Sequence, residues 1–425
     1  MAELGHEVLG LDTDADKIKR LAAGEVPFYE PGLPELLTRG IESGRLRFTT
    51  DPAEVAAFAA VHFLCVGTPQ RGDSNAADLT YVMAAIDSLA PHLGSAALVV
   101  GKSTVPVGTA GRIAARLRAA APAGDAIDLA WNPEFLREGF AVEDSLHPDR
   151  LVFGVAPPAL ADAEPAEKIL ASVYAAVIEA GTPVIVSDLA TAELVKVAAN
   201  SFLATKISFI NAMAELCEAT GADVTVLSEA LSHDARIGGR FLRSGLGFGG
   251  GCLPKDIRAF MARAGELGVD QAVTFLREVD AINLRRRARM VSLALEELGG
   301  SFSGRVIAVL GAAFKPDSDD VRDSPALDVA ATIHASGATV RVYDPKAMGN
   351  ARVRFPLLQY APSVADACRG ADIVLHLTEW TEFRDLDPEE LGAIVAQRKI
   401  LDGRNVLDPD RWRGAGWTYR GLGRP

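Results

Sequence analysis

The pattern of apolar and polar positions predicts two copies of one α/β layout. Residues 2–12 place a glycine after a helix end, then a short apolar strand, and then Asp12 at the strand tip. Residues 334–344 repeat glycine, valine and aspartate at the same offsets. A second apolar run follows in each copy, at residues 60–66 and 371–377, and is typical of a buried parallel strand. We therefore predict two doubly wound halves, each with its own core.

The middle of the chain predicts long helices. Residues 188–221 are rich in alanine and leucine, contain no proline and repeat apolar positions at helical spacing, and residues 273–298 form another helical run. Two long helices between α/β domains serve as a dimer interface or as a plain connecting core. The predicted fold is α/β, with two doubly wound Rossmann-like domains joined by a long-helix central domain. The predicted domain boundaries are 1–187, 188–298 and 302–425, and the predicted linker is 299–304.

The two copies differ at their beginnings. The second copy starts with an apolar strand at residues 305–310, followed by Gly311 and a polar loop to Ser324, whereas the first copy opens inside its first helix. A Gly-x-Gly-x-x-Gly turn that cradles a dinucleotide pyrophosphate lies between such a strand and helix. We expect that the chain is written from an internal methionine, that roughly twenty residues precede it, and that the first sheet is incomplete. The second copy lacks the triple-glycine pattern, so we expect it to bind a phosphorylated ligand other than a dinucleotide.

Composition and charge narrow the class of ligand. A formal net charge of -13 argues against nonspecific binding to nucleic acid or to anionic membranes. The four cysteines are scattered without the spacing of a zinc site, so we predict no metal and a reduced, cytoplasmic location. The longest apolar run, residues 55–66, is too short to span a bilayer. Small molecules are therefore the expected partners.

Residues 247–256, which read GFGGGCLPKD, carry the strongest chemical signal. Glycines allow a backbone to approach a ligand closely, and a nearby cation such as Lys255 lowers a thiol pKa and makes Cys252 a nucleophile. The alternative is that Cys252 is a small, inert apolar residue in a turn. The proline, lysine and aspartate that follow Cys252 favour the nucleophile.

Three other motifs present candidate polar groups. Glu134 and Glu138, in NPEFLREG, would share one face if this segment were helical and could then hold a water and accept its proton; taken alone, a capped surface helix with Glu138 solvated is the more common case. Lys196 and Asn200 are four residues apart and could stabilise an oxyanion if they face inward, or be solvated if they face outward. Residues 102–109, KSTVPVGT, follow an apolar strand, where doubly wound folds place ligands.

Taken together, these segments resemble the UDP-glucose/GDP-mannose dehydrogenase family, in order along nearly the whole chain. The matching segments are STVPVGT at 103–109, NPEFLREG at 132–139, the helix at 193–218, GFGGGCLPKD at 247–256 and GAAFKPDSDDVRDSP at 311–325, with further matches at 29–33 and 402–404. The family usually has serine where Gly251 stands.

The resemblance implies a two-step oxidation of the C6 alcohol of a nucleotide sugar, with UDP-glucose favoured and UDP-glucuronate as the product. Cys252 would capture the aldehyde as a thiohemiacetal, which a second oxidation turns into a thioester that water hydrolyses, so that two NAD are consumed. The alternatives are an enzyme acting on GDP-mannose or a UDP-N-acetylhexosamine, a nonenzymatic sugar-nucleotide binder, and an NADP-dependent 3-hydroxyacid dehydrogenase. Leu253, where phenylalanine is more usual, also occurs among the GDP-mannose and UDP-N-acetylhexosamine enzymes.

The resemblance also assigns site residues. The catalytic set is Cys252, Lys196, Asn200, Asp256, Thr104, Glu134 and Glu138. The NAD-binding set is Asp12, Lys17, Thr68, Pro69, Thr104, Glu138 and Lys255. The substrate-binding set is Glu134, Phe135, Leu136, Lys196, Asn200, Arg236, Phe241, Gly245, Gly249, Phe314, Lys315 and Arg404.

Within these sets the resemblance implies distinct roles. Lys196 and Asn200 would stabilise negative charge on oxygen. Asp256, Thr104 and Glu138 would position or activate water, and Glu134 would act as base in hydrolysis while contacting the sugar. Asp12 would hold the adenine-side ribose and favour NAD over NADP, because a carboxylate repels a 2'-phosphate. Arg236 would reach the substrate of a neighbouring subunit in a homodimer or higher homo-oligomer.

Overall fold

The computed structural model describes residues 1–161 and 163–424. The chain divides into two compact units. The first contains Met1–Ala199 and Arg258–Gly268, and the second contains Asn200–Ile257 and the chain from Val269 to the C-terminal end. Among the described residues, no helix is both long enough and apolar enough to cross a membrane.

The described residues of the first unit form seven strands in two sheets. They are β1 (Val8–Leu11), β2 (Leu46–Thr49), β3 (Val61–Leu64), β4 (Ala97–Gly101), β5 (Ile127–Trp131), β6 (Leu151–Val155) and β7 (Val184–Ser187). Strands β1 and β2 pair in parallel as one sheet, and β3 to β7 form a five-stranded sheet in sequential order. All neighbours in the larger sheet are parallel except β5 and β6.

Helices alternate with these strands. They are α1 (Ala15–Ala22), α2 (Leu33–Glu42), α3 (Pro52–Phe58), α4 (Thr80–Leu89), α5 (Thr109–Ala120), α6 (Ala141–Leu146), α7 (Ala166–Val173), α8 (Ala175–Glu179) and α9 (Leu189–Thr220), with short 3-10 turns at Ala2–Leu4, Ala90–His92 and Gly124–Ala126. Aspartate side chains cap the starts of three of them, because Asp14 accepts from the amide of Lys17, Asp51 from that of Ala53 and Asp188 from that of Thr191.

The second unit holds the rest of α9 and a six-stranded sheet. Its helices are α10 (Val224–Ser232), the start of α11 (Leu253–Glu266), a 3-10 turn at Asp270–Val273, α12 (Phe275–Glu297), α13 (Pro325–Ala335), α14 (Met348–Arg354), α15 (Val364–Cys368), α16 (Thr381–Arg384), α17 (Pro388–Gly392) and α18 (Pro409–Gly414). Its strands are β8 (Val306–Leu310), β9 (Thr339–Tyr343), β10 (Gln359–Tyr360), β11 (Ile373–His376), β12 (Lys399–Asp402) and β13 (Thr418–Gly421). The all-parallel order β10-β9-β8-β11-β12-β13 is doubly wound, as predicted.

The first strand of the second sheet has no counterpart among the described residues of the first unit. In the second unit β8 lies between β9 and β11. In the described part of the first unit no strand joins β1 to β3, so β1 and β2 form one sheet and β3 to β7 form another. The two predicted long helices are also confirmed, as α9 and α12.

Buried apolar side chains fix the strands of the larger sheet in the first unit. Val99 and Val100, neighbours on β4, are both fully buried but belong to different clusters, because successive side chains of a strand point to opposite faces. Val99 packs with Ile113 and Trp131, and Val100 packs with Phe153. Covering both faces of the sheet leaves its strand ends as the positions where polar loops can form.

Candidate active site

The loops after β3 and β4 are joined by hydrogen bonds. The Thr68 hydroxyl donates to the carbonyl of Thr104 at 2.7 Å, and the Ser103 hydroxyl donates to the carbonyl of Val66 at 2.6 Å. Both loops follow the carboxyl ends of parallel strands, so the predicted position of the KSTVPVGT loop is confirmed. Pro69 is exposed beside them.

Asp12 follows β1 and holds Lys17. The Lys17 Nζ lies 2.6 Å from Asp12 Oδ2, and about a third of the Asp12 side chain, 32%, is exposed. Partial burial raises the pKa of Asp12, but the hydrogen bonds from Lys17 and the backbone amides outweigh it and leave the pKa below its ordinary value. An ionised carboxylate is therefore presented at this strand end.

Asp344 occupies the equivalent strand end in the second unit, but both of its carboxylate oxygens are already hydrogen-bonded. One carboxylate oxygen accepts from the amides of Ala312 and Ala313 at 2.8 and 3.0 Å and from the Trp380 indole at 3.1 Å. The other oxygen accepts from two further amides, those of Lys346 and Ala347. Only 1% of Asp344 is exposed, so its carboxylate bonds its own loop and is not available to a ribose.

The NPEFLREG segment is a loop, so the helix that would have placed Glu134 and Glu138 on one face is absent. Residues 132–137 are irregular and a turn begins at Glu138. Glu134 Oε1 accepts from the amides of Phe135 and Leu136 at 2.6 and 2.7 Å, and such side-chain bonds to local amides compete with helix formation.

A buried carboxylate, Glu30, fixes the far end of the same loop. Its two oxygens accept from the amides of Gly139 and Ala141, each at 2.7 Å. Glu30 is 5% exposed and belongs to the YEPGL segment at residues 29–33. The segment that matched the family signature thus anchors the loop that carries Glu134.

Lys196 and Asn200 both face inward, at 9% and 7% exposure, so the solvated alternative is wrong. The Lys196 Nζ lies 5.4 Å from the centre of the Phe135 ring. The guanidinium of Arg150 lies 3.9 Å from the centre of the same ring. Cations over an aromatic face are attracted by its negative quadrupole, so both groups hold Phe135 in place.

Cys252 is an exposed thiol at the start of α11. Its carbonyl accepts the first helical hydrogen bond, from the amide of Asp256 at 3.0 Å. The residue therefore occupies the N-terminal end of a 14-residue helix, where the helix dipole and unpaired amides stabilise negative charge. No disulfide joins any of the four cysteines, all of which lie in the described part of the chain.

Asp256 is the centre of a buried polar group next to Cys252. Its side chain is 3% exposed, one oxygen lies 2.6 Å from the Lys255 Nζ, and the other accepts from the Asn200 side-chain amide at 2.6 Å. Burial of a carboxylate is tolerable only with such partners. The three residues and Cys252 all belong to the second unit.

The glycine run before Cys252 packs against protein. A Cβ added at Gly249 would lie 2.3 Å from the carbonyl oxygen of Asp323, and one at Gly250 would lie 2.8 Å from the Phe314 ring. One at Gly251 would lie 2.3 Å from the guanidinium of Arg322. Close approach is thus the reason for these glycines, but the group approached is the loop after β8.

Arg404 ties three segments of the second unit together. Its guanidinium donates to the carbonyls of Leu377, Gly247 and Phe314 at 2.7, 3.3 and 3.0 Å. It also lies 3.2 Å from Glu379, with 11% of the Arg404 side chain exposed. Arg404 therefore links the cysteine loop to the loop after β8.

The remaining predicted substrate residues of the second unit are spread along its loops. Lys315 lies over the Phe314 ring at 5.6 Å. Gly245 donates its amide to Asn211 at 2.9 Å. Phe241 has a left-handed backbone, with φ 66, and is 36% exposed. Arg236 pairs with Asp234 and has 89% of its side chain exposed.

The predicted residues fall into two groups. The first unit holds Asp12, Lys17, Thr68, Pro69, Thr104, Glu134, Phe135, Leu136, Glu138 and Lys196, and the second holds Asn200, Arg236, Phe241, Gly245, Gly249, Cys252, Lys255, Asp256, Phe314, Lys315 and Arg404. Three further residues inside the sequence motifs, Glu30, Lys102 and Arg322, had no predicted role.

Three family models match the chain in succession. They are the NAD binding domain of the UDP-glucose/GDP-mannose dehydrogenase family at residues 1–178, its central domain at 190–285 and its UDP binding domain at 308–409.

Full-length relatives agree with these matches. A UDP-glucose 6-dehydrogenase from Rhizobium meliloti is 40% identical over 424 residues, which covers 100% of this chain and 95% of the relative. The solved structure of a UDP-glucose dehydrogenase from Pyrobaculum islandicum has a TM-score of 0.90 and 38% identity, covering 100% of this chain and 94% of that one. A UDP-D-ManNAc dehydrogenase from Pyrococcus horikoshii has a TM-score of 0.85 and 27% identity, covering 100% and 95% of the two chains. The chain therefore belongs to the UDP-glucose/GDP-mannose dehydrogenase family.

Proposed function

We propose that this protein oxidises the C6 alcohol of UDP-glucose to a carboxylate in two steps with NAD, yielding UDP-glucuronate. The observation that carries the proposal is the exposed thiol of Cys252 at the N-terminal end of α11, four residues before the buried carboxylate of Asp256. The choice of UDP-glucose is supported by the relative from Rhizobium meliloti and by the higher TM-score and identity of the UDP-glucose enzyme among the two solved structures.

Cys252 supplies the covalent step. Its thiolate adds to the C6 aldehyde, forming a carbon–sulfur bond and a thiohemiacetal. Loss of a hydride from carbon and of the hydroxyl proton turns that adduct into a thioester. Water then breaks the carbon–sulfur bond, leaving a carboxylate and returning the thiolate with release of two protons. NAD, when bound, accepts a hydride in each of the two oxidations.

Asp256 and Asn200 hold the polar groups beside the thiol. One oxygen of Asp256 accepts a hydrogen bond from Asn200 and the other accepts one from Lys255, so the three side chains orient one another. The Asn200 amide keeps one N–H and its oxygen for further bonds. We assign to Asn200 the stabilisation of negative charge on the substrate oxygen and to Asp256 the positioning of the hydrolytic water.

The cofactor is assigned to strand ends of the first unit. Asp12 fits a ribose diol, because it is ionised, a third exposed and at the end of its strand. Asp344, in contrast, is buried and hydrogen-bonded to its own loop. Asp12 and Lys17 would hold the adenosine side, and Thr68, Pro69, Thr104 and Glu138 the rest. Lys255, the remaining residue predicted to bind NAD, lies in the second unit and forms an ion pair with Asp256.

The nucleotide sugar is assigned to the second unit. Phe314, Lys315 and Arg404 surround the loop after β8, and the family's UDP binding domain matches this part of the chain. Arg404 keeps spare N–H groups after its bonds to carbonyls, since a guanidinium has five. The roles assigned to Thr104, Glu134, Glu138, Phe135, Leu136 and Lys196 stay predictions.

We further propose that the protein is a homodimer that associates through α9. Phe202, Phe209 and Leu216 recur every seven residues on this helix and are 67%, 49% and 57% exposed. A row of large apolar side chains left in water marks an interaction surface. The exposed guanidinium of Arg236 would then serve a neighbouring subunit.

The test is the stoichiometry of NAD reduction. The protein is mixed with limiting UDP-glucose and excess NAD, and NADH is counted by absorbance, with GDP-mannose and UDP-N-acetylglucosamine as parallel substrates and Cys252→Ala as the control variant. The proposal predicts about two NADH per UDP-glucose and slower reduction with the other sugars. Binding of UDP-glucose without any reduction of NAD would replace the proposal with a sugar-nucleotide binder.

A further inference from the structure

Lys102 is a mostly buried cation that the proposed chemistry does not use. It follows β4 directly, and 18% of its side chain is exposed. Its Nζ donates to Asn132 Oδ1 at 3.0 Å and to the Tyr174 hydroxyl at 3.3 Å, and it lies 3.3 Å from Glu134 Oε2. Two N–H groups of the ammonium are thus donated to neutral oxygens, and its charge is paired with the Glu134 carboxylate.

The partners of Lys102 are rigidly held. The Tyr174 hydroxyl donates to Asn132 Oδ1 at 2.7 Å, and the Asn132 amide donates to the carbonyl of Val152 at 3.0 Å. The Tyr174 ring is 5% exposed and stacks on Phe153 with ring centres 6.0 Å apart. Lys102 is therefore attached to the core of the five-stranded sheet.

The charge of Lys102 is retained despite its burial. Burial lowers the pKa of this amine, but Tyr174, Glu134 and Cys65 outweigh burial and leave the pKa above its ordinary value. A cation fixed in this way can orient a flexible carboxylate.

Glu134 is the group that it orients. Glu134 Oε2 faces Lys102, and Oε1 accepts from the amides of Phe135 and Leu136. A carboxylate has about four lone-pair positions, so three are occupied and one remains for a ligand. The same bonds hold the backbone of residues 134–136 in its turn.

We propose that Lys102 is a positioning residue for the reaction proposed above: it fixes the Glu134 carboxylate and the turn at residues 134–136, so that Glu134 keeps one directed acceptor for a ligand. The role of Lys102 is indirect, because it acts through Glu134. This inference rests on the proposed function for the identity of the ligand. The arrangement of the turn does not depend on the proposed function.

The test combines amide hydrogen exchange with kinetics. Lys102→Met should speed exchange at the amides of Phe135 and Leu136 by about tenfold, because Glu134 loses one of its anchors. It should lower kcat/KM for UDP-glucose by about 100-fold, because misplaced contacts of this kind cost that much. Lys102→Arg should restore part of both, and Lys168→Met, at an exposed position of α7, is the matched control with unchanged exchange at residues 135–136.

A double-mutant cycle separates positioning from general damage. With Glu134→Gln already present, Lys102→Met should lower kcat/KM by less than about threefold, because residues in one network are non-additive. Wild-type exchange in Lys102→Met, or a full multiplicative loss on top of Glu134→Gln, would overturn the proposal. If the wild type reduces no NAD, the proposed function fails, while the exchange experiment still decides the role of Lys102.

Discussion

The Asn200 side-chain amide donates to Asp256 at 2.6 Å, and this bond joins the middle of the long helix α9 to the first turn of α11. The bond lies within the second compact unit, next to the exposed thiol of Cys252. Because Lys255 occupies the other oxygen of Asp256, the carboxylate cannot turn without breaking a bond. Cys252 therefore precedes, by one helical turn, polar groups whose positions are already fixed.

The glycines before Cys252 should differ in their tolerance of a methyl group. Gly249→Ala should lower the free energy of unfolding by about 2 kcal/mol or more, because the new Cβ meets the backbone oxygen of Asp323. Gly251→Ala should cost less than about 1 kcal/mol, because only the mobile end of Arg322 has to move. Urea unfolding of the two variants measures the difference, and equal costs would contradict this account of the loop.

The carboxylate at the end of β1 should set the preference for NAD. Asp12→Asn removes a charge that repels a 2'-phosphate, so the ratio of kcat/KM for NAD to that for NADP should fall by about tenfold, or about 1.4 kcal/mol. Asp344→Asn is the matched control, because Asp344 is 1% exposed and bonds its own loop, so it should destabilise the protein and leave the ratio unchanged. An unchanged ratio in Asp12→Asn would remove Asp12 from the cofactor site.

Asp402 should make stability fall in acid. It is fully buried, with His376 Nδ1 at 3.0 Å and the amide of Leu407 donating at 2.8 Å. Burial raises the pKa of Asp402, but the bond from His376 and the backbone amides lower it below its ordinary value. The stabilisation is thus present above the ordinary aspartate pKa of about 3.9 and is lost as pH falls through the lowered folded value.

Asp402→Asn tests this pH dependence. It should lower the free energy of unfolding by about 3 kcal/mol at pH 7 and flatten its decline in acid, because the titrating group is gone. Asp408→Asn, at an exposed cap of α18, should change the free energy of unfolding by less than about 0.5 kcal/mol, because asparagine and aspartate cap helices about equally well, and should keep the decline. Unfolding is followed from pH 7 to pH 3, and parallel declines in wild type and Asp402→Asn would refute the assignment.

The apolar row on α9 should control assembly. Phe209→Glu places a charge in the middle of the row and should convert a dimer into monomers in sedimentation velocity, because an unpaired charge is costly at an interface. Leu357→Glu is the control, since Leu357 is 78% exposed and lies outside α9. A monomeric wild type, or dimers in both variants, would rule out this surface.

Sequence reasoning succeeded where the signal was local or periodic. Apolar runs and glycine caps predicted β1, β9 and the doubly wound sheet, and helical spacing predicted α9 to within one residue at each end. It failed at residues 132–139, because Glu134 bonds the amides that a helix would use. The spacing of two glutamates does not reveal that competition.

The contacts of the candidate active-site loops could not be predicted from the sequence, because they join residues that are far apart along the chain. Gly249 and Asp323 are close in space but distant along the chain, so the sequence alone suggested that the glycines approach a ligand. Lys102 likewise meets Glu134 and Tyr174, which follow in separate segments. The resemblance to a family named the site residues, whereas only the structure gives the groups that hold them.

The most direct test of the central claim is the mass of the protein during turnover. Asp256→Asn should slow hydrolysis of the thioester, so that intact-mass measurement with UDP-glucose and NAD finds the substrate acyl group on the protein, mapped to Cys252. The double variant Cys252→Ala with Asp256→Asn should carry no adduct. An adduct on Cys252 accompanied by about two NADH per acylated subunit is the predicted result, and NADH formation without any adduct on Cys252 would contradict covalent catalysis by this thiol.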